Sequence, residues 1–286
     1  MSNPVQAKSG GEMWIFDSVT EINEFVDQRS FMFRGKEFTF GEENKGSEIE
    51  TYEQVIERCN REWAEGIYIF QQFVDRLKDA VLPELKDKKR RVRFGTEGDD
   101  IDFDKLRSGD ANFWRSSTRE DAHGPTTMTV VIDTTTPWFQ NSDDILWRGA
   151  AAVALAKILE EKGWSVEIWV VNGSCLYAGK DTPVYTACRL KKTSDPLDIS
   201  TLINTVSGWF YRTATFTLLE TICRRTGNEL AYGFGHCMTP TADDLDLLTP
   251  DEYRVYSSGV FSFDGALEII QKQIDEIKNN ATEETV

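Results

Sequence analysis

The segment from Met128 to Val171, MTVVIDTTTPWFQNSDDILWRGAAAVALAKILEEKGWSVEIWVV, constrains the fold more than any other. Met128–Asp133 is a short apolar run that ends in an acid. A polar turn, Thr134-Thr135-Thr136-Pro137, separates it from a helical pattern over Asp143–Glu161 and a second β-rich run over Trp164–Val171. Strand, loop, helix and strand at this spacing predict a βαβ unit, because parallel strands need a crossover of this kind. Small residues dominate Gly149–Ala156, and Ile145, Leu146, Val153, Leu155, Ile158 and Leu159 spread around the helix, so it should be buried over most of its circumference. Open α/β sheets place ligands at the carboxyl ends of their strands. Asp133 and Thr135 are therefore the first place to look for a site.

The flanking sequence supplies further elements. Ser18-Val19-Thr20-Glu21 and Thr51-Tyr52-Glu53-Gln54 read as capping boxes opening helices. Ile67–Val81 carries an apolar stripe at helical spacing, Phe31–Phe40 suggests a strand or hairpin, and Glu42–Glu50 a charged loop. Beyond the central unit, Asn172-Gly173-Ser174 reads as a turn, Val184–Lys191 alternates like an edge strand, Asp198–Val206 and Thr213–Arg225 read as helices, Arg254–Phe263 as the last strand and Gly265–Lys278 as a closing helix. The expected organisation is a disordered lead over 1–12, a smaller, mainly helical segment over 13–110, an α/β domain over 111–280 and an acidic tail over 281–286. The α/β domain should be three-layered and Rossmann-like, with helices on both faces of the sheet.

Net charge of −16 argues against a binder of duplex DNA or anionic membranes, both of which need clustered positive charge. Five scattered cysteines with no C-x-x-C suit reduced thiols. The N-terminus lacks the pattern of a signal peptide, and no stretch approaches the roughly 20 apolar residues of a membrane span; the expected location is cytoplasmic. Against the acidic background, Lys86–Arg93 reads KDKKRRVR. It is either a solvated linker or a contact for phosphate or an acidic partner through Lys86, Lys88, Lys89, Arg90, Arg91 and Arg93. Phe113, Trp114, Trp209, Phe210 and Tyr211, near Arg115 and Arg212, offer stacking faces for a single-stranded nucleic acid. No P-loop or nucleophile elbow is present. His236 and Cys237 are neighbours on a β-like run and should point to opposite faces. The expectation is a protein that is not an enzyme.

The order of elements in the second half, with Val130-Val131-Ile132-Asp133-Thr134-Thr135 followed by the long small-residue helix, resembles the von Willebrand factor A family. More narrowly, TYEQVIERCNREWAEG over 51–66, GDDIDFDKLRSG over 98–109 and Ala231-Tyr232-Gly233-Phe234-Gly235 are similar to a group of phage-encoded proteins with a degenerate A-like domain. The resemblance implies a metal-ion-dependent adhesion site of the D-x-S-x-S kind, suited to Mg²⁺. Asp133 matches the first ligand and Thr135 replaces the first Ser, whereas Pro137 stands at the second Ser and has no side-chain oxygen. The threonine from a later loop would be Thr213 or Thr215, and the last acid Asp243 or Asp244. The resemblance also implies a non-enzymatic adaptor, with a MoxR-like AAA+ ATPase or a phage RNA polymerase as its protein partner. The alternative is a single-stranded nucleic-acid-binding cofactor of phage transcription or replication.

Overall fold

Met128, Val130 and Ile132 pack into one core and Val131 into another, so the run expected as a central strand divides two layers. The computed structural model describes residues 4–27, 51–81, 90–96, 100–119, 127–137, 142–161, 164–177, 181–230, 236–250, 254–259 and 262–283. Phe31–Phe40, Glu42–Glu50, Lys86, Lys88, Lys89 and Ala231–Gly235 lie outside the described residues.

The N-terminal elements are β1 (Val5–Gln6), β2 (Glu12–Phe16), α1 (Val19–Phe25), α2 (Tyr52–Cys59) and α3 (Ala64–Val81). Thr51 and Gln54 complete the reciprocal box expected of them, whereas Ser18 makes half of one: it accepts from the Glu21 N–H, but the Glu21 carboxylate takes the Asp17 N–H. Next come β3 (Arg90–Gly95), β4 (Asp100–Ile101), α4 (Phe103–Arg107) and β5 (Trp114–Arg119). The central unit is β6 (Thr127–Asp133), α5 (Ser142–Glu161) and β7 (Ser165–Tyr177). It is followed by β8 (Asp181–Lys191), α6 (Ile199–Thr205), α7 (Gly208–Phe210), a π-helical turn over Tyr211–Thr215, and α8 (Phe216–Thr226). The chain closes with α9 (Ala242–Leu245), β9 (Arg254–Ser257) and α10 (Phe263–Glu283).

The main sheet has the order β1-β2-β8-β7-β6-β9. Strand β6 runs parallel to both β7 and β9, β7 and β8 form an antiparallel hairpin, and β2 joins β8 in parallel. The fold is thus α/β with a mixed sheet. Residues pointing to one face of the sheet share a large core with α1, α2, α3, α5, α6, α8 and α10. Every residue from Ala150 to Ala156 is buried, because α5 lies between the sheet and α3. On the second face, Met13, Val131, Trp169, Val171, Tyr185 and Ala187 are covered by Leu245 of α9 and by Leu247 and Leu248 after it. The expected helices on both faces are therefore realised unequally: among the described residues, the short α9 is the helix on this side.

Several sequence-based expectations need correction. Asn172-Gly173-Ser174 is not a turn; β7 runs straight through it. Gly173 is needed for proximity, since a Cβ there would meet the Met238 carbonyl oxygen at 2.0 Å. The alternating β8 is not an edge, because β2 pairs with it from Glu12↔Val184 to Phe16↔Cys188. The lead over 1–12 contains β1, and Ala7 is buried. The boundary at 110 cuts through a second, three-stranded antiparallel sheet of order β3-β5-β4. The basic run is no linker where it is described: Arg90–Gly95 is a strand held by β5.

Gly149 of α5 faces Val206, whose Cγ2 and Cβ would lie 2.3 and 2.4 Å from an added Cβ. Ala is favoured over Gly in a helix by about 1 kcal/mol, whereas overpacking costs about 1–3 kcal/mol. Gly149→Ala should therefore lower stability by roughly 1–2 kcal/mol, read from the urea midpoint.

Candidate functional site

At the carboxyl end of β6 the chain turns sharply, and its polar groups are consumed by the turn. The Thr134 N–H donates to the Val171 carbonyl at 2.9 Å, prolonging the pairing with β7 by one bond. The Thr135 N–H returns to Asp133 Oδ1 at 2.8 Å. Thr135 Oγ1 accepts from the Gly173 N–H at 2.9 Å. The Thr136 hydroxyl donates to the Thr134 carbonyl, and its N–H reaches the Tyr211 hydroxyl at 3.4 Å. From α5, Arg148 inserts its guanidinium beneath the loop. Its Nη1 donates to the carbonyls of Asp133 and Thr135, and its Nη2 to Thr136 Oγ1 at 3.2 Å. Arg148 is 1% exposed and Asp133 likewise.

Asp133 Oδ2 accepts from the Ser258 hydroxyl at 3.0 Å and lies 3.3 Å from the Tyr256 hydroxyl. That hydroxyl is equally close to the Pro240 carbonyl and has one proton to give. Burial pushes the Asp133 carboxyl above its ordinary 3.8, against the pull of the Arg148 charge and the bonds from Thr135 and Ser258. Burial also pulls the Arg148 guanidinium down, against the charge of Asp133. Desolvation outweighs attraction for both partners, as is common for buried ion pairs.

These residues do not fit a divalent cation. Such an ion takes charged carboxylate and hydroxyl oxygens with lone pairs directed at it. Here both Asp133 oxygens are engaged by protein donors, burial favours the neutral carboxyl, and a guanidinium lies alongside. Thr213 is buried in the π-helical turn, and its hydroxyl has no partner among the described residues. Asp243 is exposed in the first turn of α9. Its neighbour Asp244 is buried and accepts from Ser9 and Thr241, bonds that more than offset its burial and hold its carboxyl below 3.8. Among the described residues, no three His, Cys, Asp or Glu side chains gather where a metal could sit. Cys237, adjacent to this centre, is pushed up to about 11 by burial and by the charge of Asp133, so it stays a neutral thiol near pH 7. A cavity between the sheet and the π-helical turn is lined by Tyr52, Asn172, Thr186 and Thr215 and has room for about one water molecule.

The nucleic-acid candidates separate. Trp209 and Tyr211 are buried, so neither can stack on a base; Arg212 beside them is half-buried. Arg90, Arg91 and Arg93 stand in β3, where Arg90 is registered against Arg119 and Phe94 against Arg115 of β5. Phe94 is 42% exposed, Phe103 68% and Leu106 42%. Phe113 and Trp114 are half-buried with ring centroids 5.9 Å apart. The Lys105 ammonium lies 4.4 Å from the Phe94 centroid and 3.0 Å from Asp110. The Asp102 carboxylate caps the Lys105 N–H, tying α4 to this sheet.

The family model described as "Domain of unknown function (DUF7192)" matches residues 12–261. The chain belongs to the DUF7192 family. The DUF7192 match takes in the small sheet and the main sheet from β2 onward, and stops just short of α10. No curated protein and no solved structure matches the chain, and no described helix is long and apolar enough to cross a membrane.

Arg148, Tyr256 and Ser258 are the members of this DUF7192 centre that sequence reasoning misses. For Arg148 a signal exists: it is the one charge inside the otherwise apolar run Ile145–Ala156. Tyr256 and Ser258 carry none, since only the β6–β9 pairing brings them to Asp133. Arg148→Met leaves the carbonyls of Asp133 and Thr135 and the Thr136 hydroxyl oxygen without their donor, and should cost about 3–5 kcal/mol in denaturant unfolding. Asp133 sets a pH dependence. An acid whose folded pKa is raised contributes most below its ordinary 3.8 and loses that contribution as pH rises through the folded value. Wild type should therefore gain stability relative to Asp133→Asn as pH falls from neutrality toward 3.8, measured by urea titrations at stepped pH.

Proposed function

We propose that the chain is a non-enzymatic interaction module: an α/β body of von Willebrand factor A type that carries its partner surface on the small β3-β5-β4 sheet. The observation behind it is the clustering of exposed apolar side chains. Phe94, Phe103 and Leu106, three of the large hydrophobics exposed among the described residues, all belong to this sheet and α4. Clustered apolar exposure rimmed by charge marks interaction sites. The A-type reading draws support from the order β8-β7-β6-β9, with an antiparallel hairpin beside parallel central strands and an acid ending β6. In this reading the adhesion-type loop has become structural, because its oxygens are already held by Thr135, Ser258 and Arg148.

A photo-crosslinking phenylalanine analogue at position 103 should give covalent adducts in cells making the protein. The same analogue in place of Tyr68, which is 64% exposed on α3, should give few. Equal adducts at both positions, or none at 103, would sink the assignment.

A further inference from the structure

We infer that the cavity between the main sheet and the π-helical turn is a binding site for one water molecule, held by Tyr52, Asn172 and Thr186. The site is independent of the interaction surface on the small sheet. Strand alternation builds one wall. Val170 and Asn172 of β7 and Thr186 and Cys188 of β8 line the cavity from the same face of the hairpin, with Asn172 registered directly against Thr186. The opposite wall includes Tyr52, in the first turn of α2, and Thr215, the last residue of the π-helical turn. Such turns, with their i to i+5 spacing, are frequent at functional sites. Apart from Tyr52, Asn172, Thr186, Thr215 and the Cys188 thiol, the lining is apolar.

Two buried polar atoms, one from each wall, have no partner among the described residues. They are the hydroxyl oxygen of Tyr52, a residue with no exposure, and Oδ1 of Asn172, which is 3% exposed. The Asn172 amide nitrogen already donates to Thr186 Oγ1 at 2.6 Å. Turning the amide over would only exchange the end left over, because the one Thr186 hydroxyl serves one end at a time. Tyr52 stays a proton donor: burial, and then Cys59 and Cys188, raise its hydroxyl well above the ordinary 10.0. Cys188 belongs to the lining, which sets that hydroxyl on the cavity side. Buried donors and acceptors are costly to leave unmade. Water answers all three groups. It accepts from the Tyr52 hydroxyl, donates to Asn172 Oδ1, and accepts the proton that Thr186 still has to give. About three partners are usual for a buried water, and the space matches about one molecule. A cation finds no charged group here, and an apolar guest leaves both orphaned atoms as they are. The water joins the start of α2 to the β7–β8 hairpin.

The test uses the full chain. A high-resolution crystal structure should show the density of a single water within hydrogen-bonding distance of the Tyr52 hydroxyl and the Asn172 amide. Tyr52→Phe removes only the hydroxyl and should lower the urea midpoint at unchanged slope, because it takes a partner from the bound water. A hydroxyl buried in a dry cavity gives the opposite sign, since its removal relieves a desolvated group. Crystals soaked in rubidium chloride report on the charge of the guest, and no anomalous peak is expected in the cavity. A cavity without density, an unchanged or raised midpoint for Tyr52→Phe, or a rubidium peak between Tyr52 and Asn172 each overturns the inference.

Discussion

The Arg148 guanidinium is the contact on which the top of the sheet depends. Three threonines and an aspartate follow one another at the end of β6, and their backbone carbonyls turn inward where no water reaches them. A buried carbonyl needs a donor, and the loop cannot supply enough N–H groups from its own backbone. Arg148 serves Asp133, Thr135 and Thr136 from a single side chain. Its planar fork is suited to several acceptors at fixed angles, which a lysine could not match. The cost is a desolvated charge, lessened by the Asp133 carboxyl close by. Asp133 in turn collects Ser258 from the segment just past β9, so the helix layer, the loop and the parallel strands β6 and β9 converge on two side chains.

That arrangement sets chemical limits. The carboxyl end of a parallel strand is the usual place for a ligand because its backbone groups are free. Here they are not. The Asp133 carboxyl and the carbonyls of Asp133 and Thr135 are held by donors inside the protein, and the nearby thiol of Cys237 is held neutral by burial. The polar centre ties α5, the loop and the strands together, while Phe94, Phe103 and Leu106 of the small sheet and α4 reach solvent elsewhere.

Much of the fold was legible because its signals are local. The apolar alternation of β6, the small-residue helix α5 and the capping hydroxyls at Ser18 and Thr51 follow from residues a few positions apart. What escaped was set by distant partners. Asn172-Gly173-Ser174 has turn composition, yet Asn172 bonds across the hairpin to Thr186 and Gly173 admits the Met238 backbone, so the strand continues. β8 looks like an edge until β2 pairs with it. KDKKRRVR reads as a linker because repulsion among its charges hides a strand that only β5 completes. Within the candidate site, Asp133 and Thr135 were found from their position after a strand, and Trp209 and Tyr211 were misjudged because composition cannot tell a buried aromatic from an exposed one.

The parallel pairing of β2 with β8 bears on how the chain is made. Asp17, just after β2, contacts Arg189 of β8, 172 positions away. During synthesis each residue of β2 emerges 172 positions ahead of the one it pairs with on β8. Until then Met13, Trp14 and Phe16, all buried in the finished sheet, lack β8 beside them. Closing so long a loop comes late in folding, since its entropy is lost before any contact repays it. β2 can therefore join β8 only after that later strand has been made, and its apolar side chains stay exposed in the nascent protein for that interval.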